Sequence, residues 1–300
     1  MLVFATSDKG GTGRSVTTSN VAYQAAVAGA DVCYLDFDFG SPTAGAVFDV
    51  DDGMLGVREG GLHSYLLGRV DKPRRIDVFA ATERTSVRDR PYHAGRLVLM
   101  PGDAGVGEFP SSPDLIRRCA GLLGRLNGEF DVCFVDLSAG RSYALQMALA
   151  AVRRLHGVKS RWLVYHRWTK QHVLAATALV HGEHGILQTG EELGHDRDEL
   201  LSSLRFVRTA TVDPSRPGLT AQQTVWIEKW DGELRTIAQS EGAGPLTLLH
   251  TVPLDPLLQW HEQLITNHDV ESRGIANRAT ADAFKRLAEL IGDDRAWEVK

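Results

Sequence analysis

The chain has 300 residues, 43% of them hydrophobic and 24% charged, with a formal net charge of −5. That apolar content excludes wholesale disorder, no apolar run reaches the roughly 18 residues of a membrane span, and the mild acidity argues against a chain-wide nucleic-acid surface. The start, MLVFATSDKGG, turns polar too soon for a signal peptide, and Cys33, Cys119 and Cys133 form neither a disulfide framework nor a metal pair, so a cytoplasmic protein with buried, reduced thiols is expected.

In chain order the pattern is strand, glycine loop, helix, repeated. LVFAT at 2–6 reads as a strand, DKGGTGRS at 8–15 as a glycine loop, and 16–30 as a helix with Val16, Val21, Ala25 and Ala28 on one stripe and Gly29 as its stop. VCYLDFD at 32–38 is a second strand. Further strands are expected at 96–100, 131–136, 161–166, 204–209 and 246–252, with IDVFAA at 76–81 as an eighth, at an edge or antiparallel. Helices are expected at 113–127, 141–156, 170–184, 219–239 and 278–292, the last with Ala281, Phe284, Leu287 and Leu290 on one stripe. Residues 83–95 read as a charged surface loop, and 186–203 are longer than a simple helix-to-strand link needs. Apolar strands alternating with helices predict a doubly wound, mostly parallel α/β sheet of seven to eight strands with helices on both faces. No repeat or linker interrupts it, so one domain over 1–300 is expected.

The loop at 8–15 follows the first strand and opens the first helix. Glycines there let successive N–H groups turn inward, and the helix start adds positive partial charge, a combination suited to phosphate. Gly10, Gly11, Thr12, Gly13, Arg14, Ser15 and Val16 are the candidate phosphate-binding residues, and the Ser15 hydroxyl stands where a P-loop holds Mg²⁺. A Rossmann site is the competing reading: Gly11 and Gly13 form G-x-G, and Asp36 lies at about the spacing of a ribose-binding acid. Val16, however, occupies that motif's third glycine position.

The run K-G-G-T-G-R-S from Lys9 resembles the deviant Walker A loop, K-G-G-x-G-K-[ST], of the ParA/MinD family of P-loop ATPases, with Arg14 in place of the P-loop lysine. D-F-D at 36–38 resembles that family's switch I, D-L-S-A-G at 136–140 its switch II, and V-P-L-D at 252–255 its base-side motif. The resemblance implies a SIMIBI-like P-loop fold that binds ATP, or another nucleoside triphosphate, with Mg²⁺. It implies that Ser15, Asp36 and Asp136 serve the metal, that Asp38 orients the attacking water, and that Arg208, Pro253 and Asp255 serve the base. Lys9 would reach a partner's phosphates across a homodimer. An arginine fork cannot take the lysine's pocket without rearrangement. Arg14 is therefore expected to contact the phosphates from farther out, or to displace the γ-phosphate, and to make turnover slow. The expected output is a dimerisation switch acting on an unknown protein partner. A hydrolysis-deficient or nucleotide-free scaffold is the alternative.

Other motifs carry less. His181 and His184 in H-G-E-H lie at a helix end without further ligands, and HEQLI at 261–265 lacks the second histidine of a zinc motif. Basic runs at 69–75, 84–90 and 152–161 read as solvated faces, so nonspecific DNA binding is not favoured. The acidic end GDDRAWEVK gives no basic amphipathic membrane anchor.

Overall fold

The computed structural model describes residues 1–298, so residues 299 and 300 of the acidic terminus, on which the expectation of no membrane anchor partly falls, lie outside the described residues. The strands are β1 (Leu2–Thr6), β2 (Val32–Phe37), β3 (Ile76–Asp77), β4 (Leu97–Met100), β5 (Val132–Leu137), β6 (Ser160–Arg167), β7 (Leu204–Thr211) and β8 (Leu248–Pro253). They form one sheet in the order β3-β4-β2-β5-β1-β6-β7-β8, parallel except for β3, which runs antiparallel to β4 at the edge. Every residue of β1, β2 and β5 is buried, as a continuous apolar strand requires when helices cover both faces.

Alternate strand residues feed two cores. On one face Phe4, Leu35, Val135 and Trp162 pack with the helices Pro113–Glu129, Tyr143–Val152 and Lys170–His181. Phe4 and Trp162 stack there with ring centroids 4.3 Å apart. On the other face Val3, Ala5, Tyr34 and Phe134 pack with α1 (Arg14–Val27) and the helix Arg278–Gly292. Each buried Phe or Leu of these layers contributes about 1.5–3 kcal/mol of transfer free energy.

The register sets the site. Asp36 of β2 lies opposite Asp136 of β5, and Asp136 lies opposite Ala5 of β1. The loops leaving the carboxyl ends of these three neighbouring strands therefore meet, at the edge where open α/β sheets bind ligands.

Several expectations change. Only Ile76 and Asp77 of the run 76–81 pair as strand; the Asp77 carboxylate then accepts from the Ala80 N–H and starts a short helix at Val78–Ala81. The loop at 83–95 contains a helical turn, Thr85–Arg88, and is anchored by Val87, which is fully buried, and by Arg84, whose Nη2 donates to Asp269 at 2.7 Å. Residues 186–203 form two helices, Ile186–Glu192 and Arg197–Ser202. Short helices at Ala44–Phe48 and Leu62–Leu66 lie in a stretch where the sequence suggested no element. The first helix starts at Arg14, two residues before the apolar stripe begins, so Arg14 stands in its first turn.

Candidate functional site

Between β1 and α1 the backbone turns through Gly11 and Gly13, both left-handed, at φ +70° and +74°. An L side chain at either place is strained by about 1–2 kcal/mol, which is why the turn is built from glycine. No side chain caps the start of α1, so its first N–H groups remain available to an anion. Gly10 and Gly11 are exposed, and a Cβ added at either would meet nothing within 4 Å.

Three contacts hold the loop in shape. The Thr209 hydroxyl of β7 donates to the Thr12 carbonyl at 2.6 Å, the Gly140 N–H donates to the Ser7 carbonyl at 2.7 Å, and Arg141 Nη1 pairs with Asp8 at 3.1 Å. A cavity of about 180 Å³ lies against Gly10–Ser15, Asp38, Thr43 and Glu262. Gly11, Thr12, Gly13, Val16 and Glu262 also line a groove of about 240 Å³ that runs to Thr209, Ala210, Pro253 and Asp255. Glu262 is carried there by Asn20 of α1. The Asn20 amide donates to the Val16 and Gln263 carbonyls, both at 2.9 Å, and its oxygen accepts from the Ile265 N–H at 2.7 Å.

The side chain of Arg14 does not extend along the cradle. It turns into the protein, where it is only 6% exposed. Nε donates to Asp136 Oδ1 at 2.6 Å, and Nη2 donates to Asp38 Oδ2 at 2.8 Å and to the Ser15 hydroxyl at 3.3 Å. The second oxygen of Asp136 accepts from the Tyr34 hydroxyl at 2.9 Å. Burial by itself would lower the arginine pKa, but Asp136 and Asp38 outweigh it and hold the guanidinium pKa above its ordinary value. Arg14 is thus drawn to Asp136 and Asp38 while still lining the cavity of the cradle. Carboxylates on both sides of its reach draw the long fork inward, and a bidentate-capable guanidinium spans them where an ammonium would contact one.

The sequence-derived metal set does not assemble around an ion-sized space. Ser15, Asp38 and Asp136 converge on the guanidinium itself. Asp36, 2% exposed, makes no contact with Arg14 and accepts from the Ala44 and Asp38 N–H groups at 3.0 and 3.2 Å. Burial and the neighbouring Asp136 push its carboxyl well above the usual carboxylate range. As arranged, these side chains do not fit a divalent cation, and among the described residues no other group of three or more His, Cys, Asp or Glu is placed to hold one.

The far end of the groove holds two of the three residues expected at the base. Pro253 and Asp255 line it, but the Asp255 carboxylate is engaged by the Leu257 and Asn277 N–H groups at 3.0 and 2.9 Å. Arg208 does not line the groove. Its guanidinium lies 3.3 Å from the centroid of the Trp168 ring, and the groove is lined instead by Thr209 and by Ala210, which is left-handed at φ +53° where the β7–β8 register shifts. Lys9 is exposed at the front of the loop. Tyr34, Thr209 and Glu262 were not legible as site residues. Tyr34 and Thr209 read as ordinary strand positions, and Glu262 is brought in by an irregular segment that only Asn20 fixes.

No family model and no curated protein matches the chain. Solved structures do. A septum site-determining protein MinD from Pyrococcus horikoshii, complexed with Mg-ADP, is 16% identical with a TM-score of 0.57, covering 98% of this chain and 96% of that one. MinD in the MinC:MinD cell division complex of Aquifex aeolicus gives 16% and 0.60 over 97% and 96%. A plasmid partition protein from Borrelia burgdorferi bound to AMPPNP gives 14% and 0.61 over 97% of both chains. At these identities the likeness is one of fold: the chain has the eight-stranded architecture of ParA/MinD-type P-loop ATPases.

Proposed function

We propose that this chain is a nucleotide-binding switch in which a nucleoside triphosphate, ATP first among candidates, is held without being turned over at an enzyme's rate. The observation that carries this reading is the continuity of the glycine cradle at the start of α1 with the groove toward Pro253 and Asp255. Backbone N–H groups of Gly10–Ser15 would take the phosphates, and the groove would take the ribose and base. The fold likeness supports nucleotide binding, since neighbours carry Mg-ADP and AMPPNP.

Hydrolysis needs a free water-orienting base and stabilisation of charge on the transferring group. Asp38 is committed to Arg14, so the reading favours a binding switch over a catalyst. Output would come through shape: Gly140 of the switch II-like loop donates to Ser7 beside the cradle, and a bound γ-phosphate would compete for that N–H. Dimerisation through Lys9, a protein partner and a cytoplasmic location belong to this proposal.

Calorimetric titration with ATP, ADP and GTP tests it. The wild-type chain is expected to bind at least one of the three, and Gly10→Asp to abolish binding with an unchanged melting temperature. Gly10 lines the cavity and a Cβ there has open space, so the variant places an anion in the cradle without backbone strain. Silence for all three nucleotides would leave a scaffold that uses the fold alone.

A further inference from the structure

The family resemblance assigns a divalent ion to Ser15, Asp36 and Asp136 and the attacking water to Asp38. Arg14 contacts two of that metal set, Ser15 at 3.3 Å and Asp136 at 2.6 Å, and also Asp38 at 2.8 Å. Its guanidinium is therefore a cation covalently tethered at the point where those groups converge. The contact is not a surface accident. Arg14 and Asp136 are 6% and 2% exposed, and Tyr34 occupies the remaining oxygen of Asp136. Nη1 is the one guanidinium nitrogen without a protein hydrogen-bond partner among the described residues, and Arg14 lines the cavity of the cradle.

We propose that Arg14 is a resident cation that takes the place of the divalent metal, so that this chain binds the phosphates of its nucleotide without Mg²⁺. The chemistry differs from a metal's in three ways. A guanidinium carries one positive charge where Mg²⁺ carries two, it cannot exchange with solvent, and it brings no coordinated waters. Asp38 and Asp136 neutralise it and hold it against the helix start, leaving Nη1 as the donor free for a phosphate oxygen. Magnesium would have to displace an arginine from two carboxylates at hydrogen-bonding distance, and no vacant carboxylate faces the cradle from Asp36, which is engaged by backbone N–H groups. The inference deepens the nucleotide-binding reading and rests on it for the identity of the ligand, but the exclusion of the metal is readable without any nucleotide.

Two measurements on the full chain test it. In the first, ATP is titrated in excess Mg²⁺ and in excess EDTA. The wild-type affinity is expected to agree within about twofold between the two conditions, and Arg14→Lys, whose ammonium cannot span both carboxylates, to become metal-dependent by about tenfold or more, a change of roughly 1.4 kcal/mol. A wild-type affinity that falls by about tenfold in EDTA overturns the proposal. In the second, Mn²⁺ alone is followed by electron paramagnetic resonance. The nucleotide-free wild-type chain is expected to retain none, whereas Arg14→Ala, with Asp38 and Asp136 released, retains Mn²⁺, and this retention is lost when Asp136→Asn is added. Mn²⁺ bound by the wild-type chain and lost on Asp136→Asn overturns the proposal, and so does an Arg14→Ala chain that folds yet retains no more Mn²⁺ than wild type. Should Arg14→Ala fail to fold, the wild-type measurement decides alone. Absence of ATP binding in both conditions sinks the nucleotide reading while leaving the Mn²⁺ measurement to judge the cation.

Discussion

A lysine beside a glycine loop follows phosphate charge, but the longer arginine fork at position 14 finds Asp136 and Asp38 and pairs with both. Buried ion pairs add little net stability because desolvation offsets attraction, whereas removing one partner strands the other and costs about 3–5 kcal/mol. Asp136→Asn is accordingly expected to lower unfolding stability by about 3 kcal/mol in urea titrations. Asp38 is 24% exposed, so water can replace it, and Asp38→Asn is expected to cost only about 1 kcal/mol. Equal losses for the two variants would mean that Arg14 leans on neither carboxylate in the way described. The letters K-G-G-T-G-R-S announced the loop and the departure within it, but not which way the arginine turns. That depends on β2 and β5 being register neighbours, a long-range fact that no local spacing encodes.

At the scale of elements, strands and long helices were legible because their apolar patterns are continuous. The misreadings fall where one or two residues decide. Asp77 caps a helix in place of a strand, and Val87 with Arg84 pins a segment whose composition is that of a loop. β6 also carries a group that titrates. His166 is fully buried between Phe206 and Trp168; its Nδ1 lies 3.1 Å from the Arg167 carbonyl, and its Nε2 has no partner among the described residues. Burial, reinforced by Arg208 and His172, lowers its pKa to about 4 from an ordinary 6.5. The folded state therefore holds the ring neutral while the unfolded chain takes up a proton between those values. Stability from this group is complete above pH 6.5 and is lost as pH falls toward 4, by on the order of 3 kcal/mol. Urea midpoints measured across that window should fall with pH for the wild-type chain, and His166→Phe should flatten the decline. An unchanged pH slope in that variant would assign the acid sensitivity to other groups.

One sheet, with strands from Leu2 to Pro253, organises the molecule, with the glycine loop after its central strand β1 and the groove spanning β7 and β8. No helix among the described residues is long and apolar enough to cross a membrane. The order of motifs along the chain announced this architecture, because each stands at the carboxyl end of a strand and those ends meet. The far end of the groove was less legible: Arg208 and Thr209 are adjacent letters, and only the pleat decides which of them faces the groove. At this scale the proposal predicts association. Lys9 is exposed at the front of the cradle, where a second copy's phosphates would lie. Sedimentation velocity with ATP is expected to shift the wild-type chain from monomer to dimer, and Lys9→Ala is expected to bind ATP yet remain a monomer. A Lys9→Ala chain that dimerises as readily as wild type would remove Lys9 from the interface.

Whether an arginine occupies the metal's place is read by diffraction at the manganese absorption edge, on crystals of the wild-type chain grown with ATP and Mn²⁺. The account predicts guanidinium density joining Asp38 and Asp136 and no anomalous peak among Ser15, Asp38 and Asp136. An anomalous peak between those side chains, with Arg14 swung out of the site, would contradict it.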